Sequence, residues 1–294
     1  MLPPPVPDGL LERCTFPPPG TEVTCGCSGG ADSTALLVLA VASGCRATAI
    51  HVDHGLRDGS AGEAHRVEAM ARSIGAGFES RSATVEPGPN LEERARTARA
   101  GALPPDVLLG HTADDQAQTV LWHLMRGAGA HGLAAMSPDR RPILGLRRAE
   151  THTLCESLGL DVVVDSSNDD PAITRNRIRT ELVPLLCDIA ARDVVPILCR
   201  AASHQRELAV LIDGLAGALD PADARAVAAA APPVAAAAVR LAWRHETGDP
   251  HGPDTAAIAR VLGVARGDAV ATEVARGWRV ERHAGRLAWV RPVG

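Results

Sequence analysis

The chain has 294 residues, of which 46% are apolar, and a formal net charge of −5 at pH 7. This length is enough for two ordinary domains, and the apolar fraction excludes a chain that is disordered throughout. The core must consist of Ala, Leu, Val and Ile, because there are only two Phe, four Trp and no Tyr. No lysine occurs, so all 30 basic residues are arginines.

Three features favour a cytoplasmic protein. No run of about 18 apolar residues predicts a membrane span. Residues 1–7 lack the basic start and apolar stretch of a signal peptide. The seven cysteines are an odd number without a Cys-x-x-Cys pair, which is typical of reduced thiols. We therefore expect a cytoplasmic protein and no membrane partner.

Short β-like runs alternate with helical patterns after a proline-rich lead-in over residues 1–20. The predicted strands are 22–27, 47–54, 78–84 and 106–111, and the predicted helices are 32–43, 61–76, 90–101 and 114–126. This alternation predicts an α/β fold with a doubly wound, mostly parallel sheet. Ligands of such folds bind at the carboxyl ends of the strands, so the polar residues at those ends are the candidates for a site.

The composition changes after about residue 185. Residues 187–265 are rich in alanine and helical in pattern, and residues 276–291 predict two short strands around Ala284 and Gly285. We therefore predict a larger catalytic domain over residues 21–186 and a smaller, mainly helical domain over residues 187–294.

The first predicted strand ends in the loop Ser28-Gly29-Gly30-Ala31-Asp32-Ser33, and a helix pattern follows at once. A glycine turn between a strand and a helix presents backbone N–H groups to a phosphate, and the two serines add hydroxyl donors. Asp32 would repel a phosphate unless a cation lay between them, which indicates Mg²⁺ bound to a polyphosphate. The alternative is a plain turn in which Asp32 or Ser33 is the helix N-cap.

A second polar cluster follows the fourth predicted strand and contains His111, Thr112, Asp114 and Asp115. Thr112 followed three residues later by Asp115 is a helix-capping pattern, which explains one carboxylate. The pattern does not explain His111 and Asp114 in the same turn. We therefore predict a site whose acids hold Mg²⁺ or face a cationic substrate.

The second strand ends in His51, Asp53 and His54. His51 and Asp53 lie on one side of the strand, but no third close ligand supports a zinc site. We expect this strand end to contact a nucleotide instead.

A helix predicted to start at Pro171, with Asp170 as its N-cap, carries Arg175 and Arg179 four residues apart, beside an apolar face that includes Ile178 and Leu185. Arg177 points away from this face. The arginine pair is either an ordinary solvated edge or a grip on phosphate, and the sequence does not decide between them.

Taken in order, these segments resemble the bacterial tRNA(Ile)-lysidine synthetases, a family of PP-loop ATP pyrophosphatases. The matching stretches are 28–33, 51–57, 95–99, 110–116, 126–129 with 132–133, 165–168 and 175–179. The first stretch marks the superfamily only. The stretches at 110–116 and 175–179 together point to the synthetase family.

The resemblance implies an adenine nucleotide alpha hydrolase-like fold and a two-step reaction that uses ATP and Mg²⁺. The carbonyl oxygen at carbon 2 of the wobble cytidine, in isoleucine tRNA with a CAU anticodon, attacks the α-phosphate of ATP and releases pyrophosphate. The side-chain amine of free lysine then attacks carbon 2 and expels AMP.

The resemblance also suggests roles for the candidate residues. ATP would be bound by Ser28, Gly29, Gly30, Ala31, Asp32, Ser33, His51 and His111. Asp32 and Asp115 would hold Mg²⁺, and Asp114 would orient the lysine ammonium or take its proton. Arg175 and Arg179 would steady a phosphate or the RNA backbone.

The RNA partner must bind despite the negative net charge. Residues 276–291 carry five arginines and one acid, a local excess of +4. We predict a basic surface formed by residues 175–179 and this terminal segment. Trp278 and Trp289 either stack on bases or belong to the core of the small domain.

The chain departs from the family at Gln118, where glutamate is usual, and its C-terminal part is short. Three alternatives stay open: a tRNA thiolation enzyme, which would typically carry Cys-x-x-Cys pairs; a small-molecule amidating ligase, which would need no RNA; and a non-catalytic nucleotide- or RNA-binding module. The oligomeric state is also open, with a homodimer among the options.

Overall fold

The computed structural model describes residues 4–53, 60–83, 91–163, 173–249 and 251–291. The chain forms two compact units, Met1–Ser203 and His204–Gly294. The functional division that we place at residue 186 stays a prediction.

The first unit is built on a parallel sheet. Its strands are β1 (Glu22–Gly26), β2 (Arg46–Asp53), β3 (Gly77–Ser82) and β4 (Leu108–Leu109). They lie in the order β3-β2-β1-β4, and each neighbouring pair is parallel. The predicted α/β class and its four strands are confirmed, although β4 is only two residues long.

Helices alternate with these strands and flank the sheet. They are α1 (Ala31–Ala42), α2 (Ser60–Ser73), α3 (Leu91–Ala102), α4 (Ala113–Met125), α5 (Ala130–Leu133), α6 (Arg148–Ser157), α7 (Thr174–Arg177), α8 (Val183–Ala190) and α9 (Val195–Gly217), and a π-helical turn (Ile178–Leu182) joins α7 to α8. The division between the two units falls within α9. Helix α1 is apolar on all sides, and its residues from Ala35 to Ala40 are fully buried, as expected of a helix enclosed in a core.

The order of the strands places a switch point between β1 and β4. The chain moves from β1 to β2 and β3 on one side, and then returns to β4 on the other side of β1. Gly26 of β1 pairs with Leu109 of β4, so the loops that follow these two strands begin at the same edge. A crevice for ligands opens at such a switch point in α/β sheets.

The second unit combines helices with a small antiparallel sheet. Its elements are α10 (Ala224–Ala229), α11 (Pro232–Thr247), α12 (Thr255–Arg266), β5 (Ala271–Glu273), β6 (Arg279–His283) and β7 (Arg286–Val290). Ala284 and Gly285 join β6 to β7 with φ values of +49° and +78°, the left-handed pair that a tight hairpin turn requires. The predicted hairpin is confirmed, and β5 is an addition to it.

The three tryptophans of this unit belong to its core, together with aliphatic side chains. Trp243 is 1% exposed, and the rings of Trp278 and Trp289 pack edge-to-face against it at centroid distances of 6.4 and 6.0 Å. Of the two interpretations of Trp278 and Trp289, the structure thus supports a role in the core. In the part of the chain that the structure describes, no helix is both long and apolar enough to cross a membrane.

Candidate active site

The loop after β1 is shaped by its glycines. Gly29 has a φ of +86°, and a Cβ there would lie 2.8 Å from Cγ2 of Val163. Its carbonyl accepts a hydrogen bond from the Val163 N–H at 2.8 Å, so the loop is tied to the segment after α6. The residue at this position must therefore be glycine for both conformational and steric reasons.

The start of α1 is open to an anion. Its N-cap is Gly30, which has no side chain to bind the N–H groups of the first turn. The alternative that Asp32 or Ser33 caps this helix is therefore wrong. The hydroxyl of Ser33 is buried and folds the loop, since it donates to the Gly30 carbonyl at 2.9 Å and accepts from the Ser28 N–H at 3.2 Å. The hydroxyl of Ser28, which is exposed, lies 3.3 Å from it.

Asp32 is a largely buried carboxylate at this site. Its Oδ1 accepts a hydrogen bond from the Thr151 hydroxyl at 2.5 Å, and its Oδ2 lies 3.2 Å from Nε of Arg148. Burial raises the pKa of Asp32, Arg148 and Thr151 lower it, and the charge of Asp115 raises it again, so that the pKa lies above its ordinary value. A cation beside Asp32 would favour its charged form.

Asp115 performs the predicted capping function and has one oxygen left for the site. Its Oδ2 accepts from the N–H and the hydroxyl of Thr112 at 2.8 and 2.9 Å. Its Oδ1 accepts from Nη2 of Arg148 at 2.9 Å. Capping and a role in the site are therefore compatible, because they use different oxygens.

The guanidinium of Arg148 brings the two carboxylates together. It contacts Oδ2 of Asp32 and Oδ1 of Asp115, which lie on α1 and α4. The two acids thus face one cationic position at the switch point of the sheet.

This donor set fits Mg²⁺. In nucleotide-binding enzymes Mg²⁺ is usually held by one or two carboxylates together with phosphates and water. Within the described ranges no group of three or more His, Cys, Asp or Glu side chains is arranged to hold a metal.

Asp114 has different partners. Its two oxygens accept from Nη2 and Nε of Arg147 at 3.0 and 3.1 Å, and Oδ2 also accepts from the Arg148 N–H at 2.8 Å. Burial acts to raise the pKa of Asp114, but these hydrogen bonds outweigh it and the pKa lies below its ordinary value. Arg147 also pairs with Asp193. A lysine ammonium would have to replace Arg147 here, so the predicted role of Asp114 toward lysine stays a prediction.

The two histidines lie at the ends of β2 and β4. His51 is buried, with Nδ1 3.0 Å from the Cys27 carbonyl, so Nδ1 carries the proton and Nε2 is an acceptor. Nδ1 of His111 accepts from Nε of Arg141 at 3.2 Å, so Nε2 carries the proton. Both tautomers are assigned from these partners.

The segment that carries Arg175 and Arg179 agrees only in part with the predicted helix. Ile178 is buried, and Arg177 is exposed and pairs with Glu181 at 2.8 Å. Leu185, on the same apolar face, is 53% exposed. Arg175 is exposed and Arg179 half-buried, and neither is among the residues that contact Asp32 or Asp115 in the hydrogen bonds and ion pairs above. Residues 54–57, 165–168 and 170–171, and the side chains of Arg96 and Arg99, lie outside the described residues.

Sequence reasoning missed three residues of the site, which are Arg147, Arg148 and Thr151. All three lie at the start of α6, where Arg147 is the N-cap. The sequence signal there was a capping pattern, in which Glu150, three residues after Arg147, accepts from the Arg147 N–H at 2.8 Å. That pattern predicts a helix start but not its partners. The close approach of Gly110 to the Asp32 carbonyl was also missed, because the two residues are distant in sequence.

Comparison with known proteins places the chain in a family. A family model described as a PP-loop domain matches residues 11–186. A tRNA(Ile)-lysidine synthase of Rhodococcus opacus is 41% identical over 233 residues, which cover 74% of this chain and 72% of that protein. The chain belongs to the tRNA(Ile)-lysidine synthase family.

Another member of the tRNA(Ile)-lysidine synthase family gives the same result. The enzyme of Nocardia farcinica is 43% identical over 72% of this chain and 70% of its own length. Among solved structures, the U34-tRNA thiolase NcsA of Methanococcus maripaludis superposes with a TM-score of 0.52 and 17% identity, covering 64% of this chain and 73% of that one. This likeness shows the fold alone. The PP-loop domain implies that the protein uses ATP.

Proposed function

We propose that this protein ligates free lysine to carbon 2 of the wobble cytidine of isoleucine tRNA with a CAU anticodon, consuming ATP and releasing AMP and pyrophosphate. The observation that carries the proposal is the meeting of Asp32 and Asp115 at one cationic position beside an open helix N-terminus. The family relationship supplies the reaction to which this site is suited.

The first step transfers the adenylyl group. The carbonyl oxygen at carbon 2 attacks the α-phosphorus, and pyrophosphate leaves. In this proposal the N–H groups at the start of α1, the Ser28 hydroxyl and His111 would donate to phosphate oxygens. Asp32 and Asp115 would hold Mg²⁺, whose charge neutralises the polyphosphate when it is bound. Ala31 and the two glycines keep the loop small, so that an anion can approach its backbone.

The second step requires lysine as a neutral amine. Its nitrogen attacks carbon 2, AMP leaves, and a proton passes from the ammonium to a base. Asp114 is the acid nearest to Asp115 in the chain, but Arg147 and the Arg148 N–H hold both of its oxygens. We therefore assign it first to positioning α6, with the lysine role conditional on release of Arg147.

The tRNA is proposed to bind to arginines outside the nucleotide pocket. Arg175 and Arg179 would steady a phosphate or the RNA backbone, and the unit that contains residues 276–291 would carry the recognition surface. Three of the five arginines there pair with acids of the same unit, most closely Arg276 with Asp249 at 3.0 Å and Arg286 with Asp220 at 2.7 Å. Arg279 and Arg282 are the better candidates for phosphate contacts, although Arg279 lies 3.6 Å from Glu281.

The deciding experiment measures incorporation of labelled lysine into an isoleucine tRNA transcript with a CAU anticodon, in the presence of ATP and Mg²⁺. Methionine tRNA, which has the same anticodon, is the control. Labelling of the isoleucine tRNA alone establishes the activity. AMP and pyrophosphate without labelled tRNA would indicate a different acceptor, such as that of a small-molecule amidating ligase.

A second experiment separates Mg²⁺ binding from capping. Asp115→Asn keeps an acceptor for Thr112 but removes the charge, and we expect it to reduce pyrophosphate release at least about 100-fold. Wild-type pyrophosphate release by this variant would exclude Asp115 as a metal ligand.

A further inference from the structure

We propose that Arg148 is an internal counter-ion: it occupies the cation position between Asp32 and Asp115 and keeps Mg²⁺ from binding there until a nucleotide arrives. The inference rests on the proposed Mg²⁺ site. It adds that Mg²⁺ does not bind to this site before the nucleotide, so that the two bind together.

One guanidinium touches both proposed metal ligands. Its Nη2 donates to Oδ1 of Asp115 at 2.9 Å, and its Nε lies 3.2 Å from Oδ2 of Asp32. The guanidinium of Arg148 carries one positive charge, and the two carboxylates carry two negative charges. One negative charge therefore remains uncompensated. A divalent cation would balance both carboxylates and would leave the guanidinium surplus, so the two cations compete for one position.

The guanidinium is held loosely enough to be displaced. Nε is the buried side-chain nitrogen that has no hydrogen-bond acceptor within the described part of the chain, so its contact with Asp32 is an ion pair without a hydrogen bond. An unpaired buried N–H is unfavourable. The backbone N–H of Arg148 is fixed to Asp114 at 2.8 Å. The start of α6 can therefore stay in place while the side chain turns.

A nucleotide gives Arg148 a new partner. The planar fork of a guanidinium matches phosphate oxygens better than it matches two separate carboxylates. When a polyphosphate enters with its metal, the metal takes Asp32 and Asp115 and the phosphate takes Arg148. Without a nucleotide, displacing Arg148 would leave a partly buried cation without a partner, and Mg²⁺ alone binds weakly.

The test titrates Mg²⁺ alone into the wild type, Arg148→Gln and Arg147→Gln, and follows the melting temperature of each. Arg147 is the matched control, because it is the adjacent arginine and pairs with Asp114 and Asp193 instead. We expect Arg148→Gln to melt lower without Mg²⁺ and to be stabilised by Mg²⁺ with a midpoint at least about tenfold below that of the other two proteins. Equal midpoints for all three proteins would overturn the proposal.

Two further variants make the result specific. Arg148→Lys keeps a positive charge and should bind Mg²⁺ as weakly as the wild type, and adding Asp115→Asn to Arg148→Gln should abolish the gain in affinity.

If Arg148→Gln does not fold without Mg²⁺, its refolding yield is measured against Mg²⁺ concentration. A yield that rises with Mg²⁺ supports the proposal, and a yield independent of Mg²⁺ contradicts it. Failure of the wild type to bind ATP with Mg²⁺ would instead count against the proposed function.

Discussion

Gly110 lies so close to Asp32 that a Cβ at position 110 would come within 2.7 Å of the Asp32 carbonyl oxygen and 3.0 Å of the Ser33 Cα. The end of β4 and the start of α1 thus touch through their backbones. This contact keeps Asp115, five residues after Gly110, beside Asp32.

We expect Gly110→Ala to separate the two carboxylates and to abolish most of the ATP-dependent pyrophosphate release. The overpacking should also lower the free energy of unfolding by about 1–3 kcal/mol. Gly101→Ala on α3 is the control, because a Cβ there meets nothing within 4 Å and should leave both measurements near wild type. An active Gly110→Ala variant would show that the close contact is not required.

Asp32→Asn should make the protein more stable and inactive. Burial raises the pKa of Asp32, so the folded state favours a neutral group at this position and the charge is unfavourable at pH 7. Asparagine keeps an acceptor for the Thr151 hydroxyl. In thermal unfolding at pH 7 without nucleotide or Mg²⁺, we expect a higher melting temperature for Asp32→Asn. We expect no such rise for Asp115→Asn, because it removes a favourable negative charge from the first turn of α4. A lower melting temperature for Asp32→Asn would contradict this account.

Glu150 should contribute stability that depends on pH. The Arg13 hydrogen bond lowers its pKa, burial acts in the opposite direction, and the Arg147 N–H lowers it further, so that the pKa lies below 4.5. A carboxyl whose folded-state pKa is depressed stabilises the protein above its unfolded-state pKa and loses that effect as the pH falls through the folded-state pKa. Glu150→Gln should therefore melt below the wild type at pH 7, and the two curves should converge as the pH falls through the lowered folded-state pKa. Glu181→Gln, which affects the exposed Arg177 pair, should differ little from the wild type at any pH.

Trp243 should be essential for the second unit. It is buried against Trp278 and Trp289, and its Nε1 donates to the His251 carbonyl at 3.1 Å. Trp243→Phe removes that hydrogen bond and leaves a cavity, and we expect a loss of about 2–4 kcal/mol in the free energy of unfolding, measured by denaturant titration. Trp122→Phe in the first unit is the matched substitution, and a comparable loss there would show that the effect is not specific to this core.

Charge reversal at Arg279 and Arg282 should weaken tRNA binding and make it less sensitive to salt. Each phosphate contact contributes about one unit to the slope of log affinity against log salt concentration, so the double variant should lose about two units. A double reversal at Arg46 and Arg72, which are exposed in the first unit, gives the same change in net charge. Equal effects of the two double variants would indicate that only the net charge matters.

The local sequence determined much of this protein. The alternation of strands and helices, the glycine loop at Ser28–Ser33, the cap formed by Thr112 and Asp115, and the hairpin at Ala284 and Gly285 are all present in the structure. Each depends on residues within a few positions of one another. Backbone preferences, capping and hydrophobic periodicity act over this range, so a single sequence reveals them.

The tertiary structure decided which charges meet. Arg148 and Thr151 reach Asp32 across more than 100 residues of chain, and Arg147 rather than a solvent ion holds Asp114. The order β3-β2-β1-β4 brings these groups to one edge of the sheet. Pairing between distant residues depends on the whole arrangement of strands and helices. No local pattern in this chain specifies it, which is why the arginine between the two carboxylates was absent from the sequence prediction.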